Sequence, residues 1–295
     1  MTGFSIDKYA NKRQKMIINN CSAPQSTNLN NYKKNNVSFG QIKPDHLFIK
    51  MDGFSKNESW AKKMIEVIDN QKNNFKTTLL SKIVDNVALE YLKLFRQHPE
   101  FERTLSNKIY HIREGAIDWF GAKRDVQFCT KVDGRYESYK PRIDKFFNNK
   151  PLGYEHHFYT NIDGEKIPLS FIEKGKWAYF WVTPKDGKDT KTVMTHVDKL
   201  QKELLQLGKA TDENSLDPIN KKVAEIHWHL VQDAPYLRGT AGISDVTTKT
   251  IYEALGVQVS PWKKGLAPDL EALVTPLDDF VEKYPKMFEK MPQVM

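Results

Sequence analysis

Cysteine is almost missing from this chain. Cys21 and Cys129 are the only two, they lie far apart, and they form no CxxC pair. Such spacing excludes a disulfide framework and a cysteine-based zinc site, and it points to a reducing compartment such as a cytosol. No apolar run approaches the ~20 residues that a membrane helix requires. Met1-Thr2-Gly3-Phe4-Ser5 lacks the apolar core of a secretory signal peptide. Thr2 stands where N-myristoylation demands glycine, so no membrane anchor by that route is expected. No basic block interleaves with aromatics, so nucleic acid is not an expected partner even though the net charge is +8. That charge is spread along the chain as a solvated basic surface with a general attraction for anions. No internal repeat is present.

What is present divides the chain. Residues 1–45 are rich in Asn, Lys and Ser, as in Asn19-Asn20-Cys21-Ser22 and the run from Asn28 to Asn36. Such a stretch buries too little apolar surface to fold, so we expect a disordered N-terminal leader or export segment. The remainder, 46–295, reads as one domain. Trp60, Met64, Ile65 and Ile68 recur at helical spacing behind a capping-box pattern, Ser55 and Glu58. Leu79 to Phe95 predicts a long apolar helix stopped by Pro99. Ile109, Ile112, Ile117, Trp119 and Phe120 extend the helical core.

Around residues 150–185 the pattern changes. Tyr154 to Thr160, Ile167 to Phe171 and Trp177 to Thr183 read as strands, with Asn161-Ile162-Asp163-Gly164 as a turn. Helices are expected again over a face of Val193, Val197, Leu200, Leu204 and Leu207 ended by Gly208, then over 216–233, 240–255 and 276–287. The expected fold class is therefore mainly α with a small antiparallel β insertion.

The segment richest in chemistry is Val223 to Gly242. A helix carrying Glu225-Ile226-His227-Trp228-His229 leads through Ala234-Pro235 to Arg238-Gly239-Thr240, which opens a second helix. Backbone N–H groups at a helix start, a glycine and an arginine suit an anion, since arginine forks two hydrogen bonds onto a phosphate or carboxylate. A helix corner whose arginine caps carbonyls has the same pattern. His227 and His229 are two apart on a helix and face different ways, as do His156 and His157 on a strand, so no metal site is expected from either pair.

His227-Trp228, Ala234-Pro235 and Arg238-Gly239-Thr240-Ala241 resemble the AvrB-type avirulence proteins of plant-associated bacteria. The likeness runs on through Asp269-Leu270-Glu271-Ala272-Leu273 to Phe280-Val281-Glu282-Lys283-Tyr284, and more weakly covers Gly164 to Leu169. That family's fold is a relative of Fic domains, so the resemblance implies a Fido-like helical core. Fic proteins carry His-Pro-Phe-x-x-Gly-Asn-Gly-Arg-x-x-Arg; here the run is Ala234-Pro235-Tyr236-Leu237-Arg238-Gly239-Thr240-Ala241-Gly242-Ile243-Ser244-Asp245. Ala234 replaces the general base, and Gly242 and Asp245 replace the arginines, so AMP transfer of the Fic kind is disfavoured.

The resemblance further implies an effector sent by a specialised secretion system into host cytoplasm. There it would move a deoxysugar, rhamnose-like, from a dTDP- or UDP-linked donor to a Thr or Ser of a host protein. Arg238 and Asp269 match the family's functional residues. By their chemistry, Arg238 would neutralise the leaving diphosphate, and Asp269 would orient the sugar or accept the hydroxyl proton. Gly239, Thr240 and Ser244 would join Arg238 around the nucleotide sugar. Asp269 also fits an N-cap, following Ala267-Pro268 at a helix start. Tyr139-Lys140 resembles a Pro-Tyr-Lys of the family, with Pro141 on the wrong side. No DxD metal site is found, so metal-independent transfer is expected. Two alternatives stand beside it: an effector that binds a nucleotide or peptide without turnover, and a nucleotidyl transferase with a degenerate Fic motif.

Overall fold

In a computed structural model, the described residues are 58–96, 123–125, 135–182, 187–236 and 239–295. All of them belong to one compact unit, 42–295. The leader, the Ser55 capping box, the stop at Pro99, the helical stretch over 109–120, and Leu237 and Arg238 lie outside them.

The elements run α1 (Glu58–Asn74), α2 (Leu80–Arg96), β1 (Lys123–Asp125), α3 (Arg135–Phe146), β2 (Glu155–Ile162), β3 (Glu165–Lys174), β4 (Tyr179–Val182), α4 (Gly187–Leu207), α5 (Glu213–Asp233), α6 (Thr240–Ala254), β5 (Val257–Gln258), α7 (Pro268–Val274), α8 (Leu277–Lys283), a 3-10 turn (Tyr284–Met287) and β6 (Gln293–Val294). The chain is mainly helical with a small antiparallel sheet, as its periodicities predict. No helix among the described residues is long and apolar enough to cross a membrane.

Helical spacing dictates what is buried. On α1, Ala61, Met64, Val67 and Ile68 are buried, and on α2, Ile83, Val84, Val87 and Ala88. The first N–H groups of α2 have no intrahelical acceptor. Two side chains of α4 supply one: the Leu80 N–H donates to Gln201 Oε1 at 2.6 Å and the Ser81 N–H to Asp198 Oδ1 at 2.7 Å. The Gln201 amide in turn donates to the carbonyls of Phe75 and Thr78. These contacts tie α4 to the loop between α1 and α2.

The four-stranded sheet has the order β1-β4-β3-β2, antiparallel throughout. Asp163 and Gly164 both have positive φ, 50° and 87°, which is the two-residue turn that matches strand twist, and it sets Ile162 opposite Glu165. The third strand starts later than its sequence suggests. Trp177 is 84% exposed in the preceding turn, and pairing begins at Tyr179.

α5 is the central element. It packs against α4, α6, α7, α8, β3 and β6. An Asp212–Ser215 capping box opens it, and every residue from Ile226 to Asp233 is buried. Its buried polar groups have partners in neighbouring elements: Gln232 Nε2 donates to the Ala272 carbonyl, Trp228 Nε1 to the Thr275 carbonyl, and Thr190 Oγ1 to Asp233 Oδ1. The helix expected over 276–287 is interrupted. Pro285 lacks an N–H, so α8 tightens into the 3-10 turn at Tyr284. α3 and α7 are helices that apolar periodicity did not single out.

Candidate functional site

The segment from α5 to α6 turns on Ala234, which sits at the helix end with φ 46° and ψ 61° and sends its N–H to the Leu230 carbonyl. A left-handed alanine carries a steric cost, accepted here where its methyl is wholly buried. Tyr236 follows, buried, its hydroxyl donating to Asp85 Oδ1 at 2.6 Å. Ala234 is thus a packed interior position. Replacing Ala234 with His overfills it and is expected to lower stability by about 1–3 kcal/mol, read from urea unfolding. An imidazole tolerated there at unchanged stability would show that the position opens to ligand.

Gly239 begins α6 with φ 82° and no side-chain cap. A helix start of this kind offers backbone N–H groups and the positive dipole end to an anion. Tyr91, from α2, lies across this first turn. A Cβ on Gly239 would approach Tyr91 Cε1 to 2.8 Å, and one on Gly242 would approach Cε2 to 2.3 Å and Oη to 2.6 Å. Two glycines three apart are what lets the ring lie this close. Thr240 and Ser244 are both buried, and the Ser244 hydroxyl donates back to the Thr240 carbonyl at 2.8 Å.

Asp269 is in the first turn of α7, at the second helical residue, while Ala267 is the cap and Pro268 the first residue. It is therefore not the N-cap that the local pattern also allowed. Its carboxylate and that of Asp245 both act on Tyr91: burial, then Asp245, then Asp269 push the Tyr91 hydroxyl well above the usual tyrosine range. Burial and the neighbouring Glu271 and Asp269 likewise raise Tyr139, outweighing the Ala267 N–H and Arg142. The Ala267 N–H donates to Tyr139 Oη at 3.0 Å, and Arg142 holds Glu271 Oε1 at 2.6 Å and Thr275 Oγ1 at 2.7 Å. So α3 fixes the start of α7, and Tyr139 stands beside the turn that bears Asp269. Lys140 instead pairs with Asp144 on its own helix.

The start of α6 thus lies against Tyr91, and Asp269 at the start of α7 is near enough to act on its hydroxyl electrostatically. Behind this junction lies a buried charge pair. Lys249 Nζ is 2.7 Å from Asp245 Oδ1 and 5.5 Å from the Trp262 ring centre, and Trp262 Nε1 donates to the same oxygen at 2.8 Å. His227, against Trp262 and Tyr284, has its Nδ1 2.8 Å from Tyr284 Oη. Burial, helped by Lys249, pulls its pKa down to about 3, so it stays neutral. His229 faces the opposite way, toward α4 and β2, with Nε2 3.0 Å from Thr160 Oγ1. Tyr91, Lys249 and Trp262 were not singled out from sequence, and Asp245 was singled out only as standing in place of a Fic arginine; the spaced Gly239 and Gly242 were the available signal that a large side chain lies over α6.

Residues 181–291, which begin in β4 and include α4 to α8, match the family model AvrB_AvrC, described as "Avirulence protein". Over 67 residues the chain is 30% identical to Avirulence protein B of Pseudomonas savastanoi pv. glycinea. That match covers 23% of this chain and 21% of the relative, so it spans about a fifth of the relative's length. Both matches support the AvrB-type effector family, and the family match contains α6 and α7 but not Tyr91 of α2.

Proposed function

We propose that this chain is a bacterial effector delivered through a specialised secretion system into host cytoplasm, and that it glycosylates a host protein there with a Fido-like core built on α5 and α6. The observation that supports this reading is that Tyr91 lies against the Gly239 helix start and within the electrostatic reach of Asp269, with Gly239 and Asp269 both inside the stretch that matches avirulence proteins.

The chemistry follows from the groups at the junction. The diphosphate of a dTDP- or UDP-deoxysugar sits at the start of α6, held by backbone N–H groups and Arg238. The bond from the anomeric carbon to the phosphate oxygen breaks, and the nucleoside diphosphate leaves with the electron pair. A Thr or Ser oxygen of the host protein forms the new bond to the anomeric carbon, and its proton passes to the Asp269 carboxylate. Arg238 offsets the charge on the leaving group, so no metal enters this step. Asp245, committed to Lys249 and Trp262, braces the helix that carries the donor site. Nucleotidyl transfer is the weaker reading because Ala234 has no proton acceptor and is buried.

A thermal-shift screen against nucleotides and nucleotide sugars tests the donor site. At a ligand concentration ~100 times Kd, the wild type should gain roughly 2.7 kcal/mol with a dTDP- or UDP-sugar, and Arg238→Ala should lose that gain. A gain with adenine nucleotides alone would favour nucleotidyl transfer. No gain with any of them would overturn the donor site and leave a host-protein binding module. Turnover is then read as a deoxyhexose mass added to host protein by the wild type and missing with Asp269→Asn.

A further inference from the structure

We propose that His196, Glu225 and His229 form a site for a divalent transition metal of the zinc class, which clips α4 to the central helix α5. The three side chains come from two elements. Glu225 and His229 are four apart on α5 and share a face, and His196 reaches them from α4. One potential ligand atom from each lies within 4.8 Å of the other two. His196 Nε2 is 3.4 Å from Glu225 Oε1, which is about the separation of two ligands that hold one tetrahedral zinc at ~2.0–2.1 Å. The imidazole rings are 5.0 Å apart.

Three further features set this cluster apart from an ordinary buried hydrogen-bond network. First, His229 Nδ1 is 2.8 Å from the Glu225 backbone carbonyl. A carbonyl only accepts, so Nδ1 carries the proton and Nε2 keeps its lone pair; this second bond is how metal-binding histidines are oriented. Second, His196 Nδ1 is buried and has no hydrogen-bond partner among the described residues, so it is Nε2 that faces Glu225 and is placed to bind an ion. Third, the site is graded in exposure. His229 is 1% exposed, whereas the side chains of His196 and Glu225 are 14% and 23% exposed, so an ion has a route in from solvent. With Nδ1 protonated, His229 Nε2 accepts from Thr160 Oγ1 at 3.0 Å; an ion would take over that lone pair, and the freed hydroxyl can then hold a water in the fourth position. Two imidazoles and one carboxylate suit zinc better than magnesium or calcium, which prefer all-oxygen shells. The site lies on the face of α5 away from His227 and α6, and it is independent of the transfer reaction proposed above.

The test uses the purified full chain after treatment with a chelator and dialysis. With zinc at ~100 times its Kd, the melting point should rise by roughly 5–10 °C. Cobalt(II) should give the intense visible bands of a four-coordinate site at one equivalent, and zinc should abolish them. Both effects should vanish in Glu225→Gln and in His196→Ala. The two variants differ in steric demand, and each is first shown to melt cooperatively without metal. Absence of a zinc shift and of cobalt bands in the wild type would overturn the proposal, as would effects that persist in both variants, which would place the ion on other histidines.

Discussion

Asp245→Ala is expected to destabilise the protein by about 3–5 kcal/mol, more than any other single change in α6. Lys249 is fully buried, and Asp245 supplies its carboxylate at 2.7 Å. Removing that carboxylate leaves an ammonium in a space walled by Trp262, His227 and the helix itself. Lys249→Met is expected to cost less, about 1–2 kcal/mol, because the Asp245 side chain is 13% exposed and keeps the Trp262 N–H. Combining Asp245→Leu with Lys249→Met should recover about 2 kcal/mol relative to Asp245→Ala, since a buried ion pair is often replaced by apolar groups at little cost. Urea unfolding of the three variants decides the matter. Equal losses for Asp245→Ala and Lys249→Met would show that the pair is not the source.

A pH dependence with a fixed sign follows. Burial lowers the Lys249 pKa below its ordinary 10.5, with Asp245 opposing. Between the folded and unfolded values the unfolded chain binds more protons, so stability rises with pH through that window. Without Asp245 the folded value falls further and the window widens downward. The melting point of Asp245→Ala should therefore climb more between neutral and alkaline pH than that of the wild type.

Much of the helical frame was legible because it is written in periodicity. The face Val193, Val197, Leu200 and Leu204 is buried as spaced, while Leu207, the last of the series, is 43% exposed where Gly208 ends the helix. The Asp163-Gly164 turn was likewise readable. The missed elements have a common cause. α3 is polar apart from a few buried positions such as Tyr139 and Ile143, and α7 is only seven residues long, marked in the sequence by no more than the Ala267-Pro268 helix start, so neither shows a full period of apolar spacing. Arg142 to Glu271 and Tyr139 to Ala267 tie them to each other, while α7 also packs on α5. The site shows the same division. Gly239, Thr240 and Asp269 stand out locally, but Tyr91 sits in an apolar run that reads as core, and only the packing of α2 on α6 reveals where it lies. His229 was read against its neighbour His227 and judged unable to share an ion with it. That geometry is correct, since the two rings face opposite ways, but the side chains that meet His229 belong to another turn of its own helix and to α4.

Gly242→Ala is expected to change sign with its background, and this tests the architecture of the candidate site directly. Gly242 lies in the first turns of α6, where alanine is ordinarily better than glycine by about 0.8–1 kcal/mol. Here the added Cβ would stand 2.3 Å from Tyr91 Cε2 and 2.6 Å from its Oη, well inside contact distance. Tyr91 must then swing off α6, or α6 must shift from α2, and overpacking of this kind costs about 1–3 kcal/mol. In the wild type, Gly242→Ala should therefore destabilise. In a Tyr91→Ala background the obstacle is gone, and the same substitution should stabilise by close to the ordinary helix gain. The reversal, measured as a double-mutant cycle, isolates the contact from propensity. The functional consequence runs in parallel. Tyr91 lies against Gly239 and Gly242, so displacing it disturbs the surface of the α6 start. Gly242→Ala should then weaken any nucleotide-sugar shift well beyond its effect on stability, because a displacement of about 1 Å at a positioning residue is enough to lose ~100-fold in reactivity. If the substitution stabilises both backgrounds alike, Tyr91 does not rest on α6 in solution, and the junction around it is not the site.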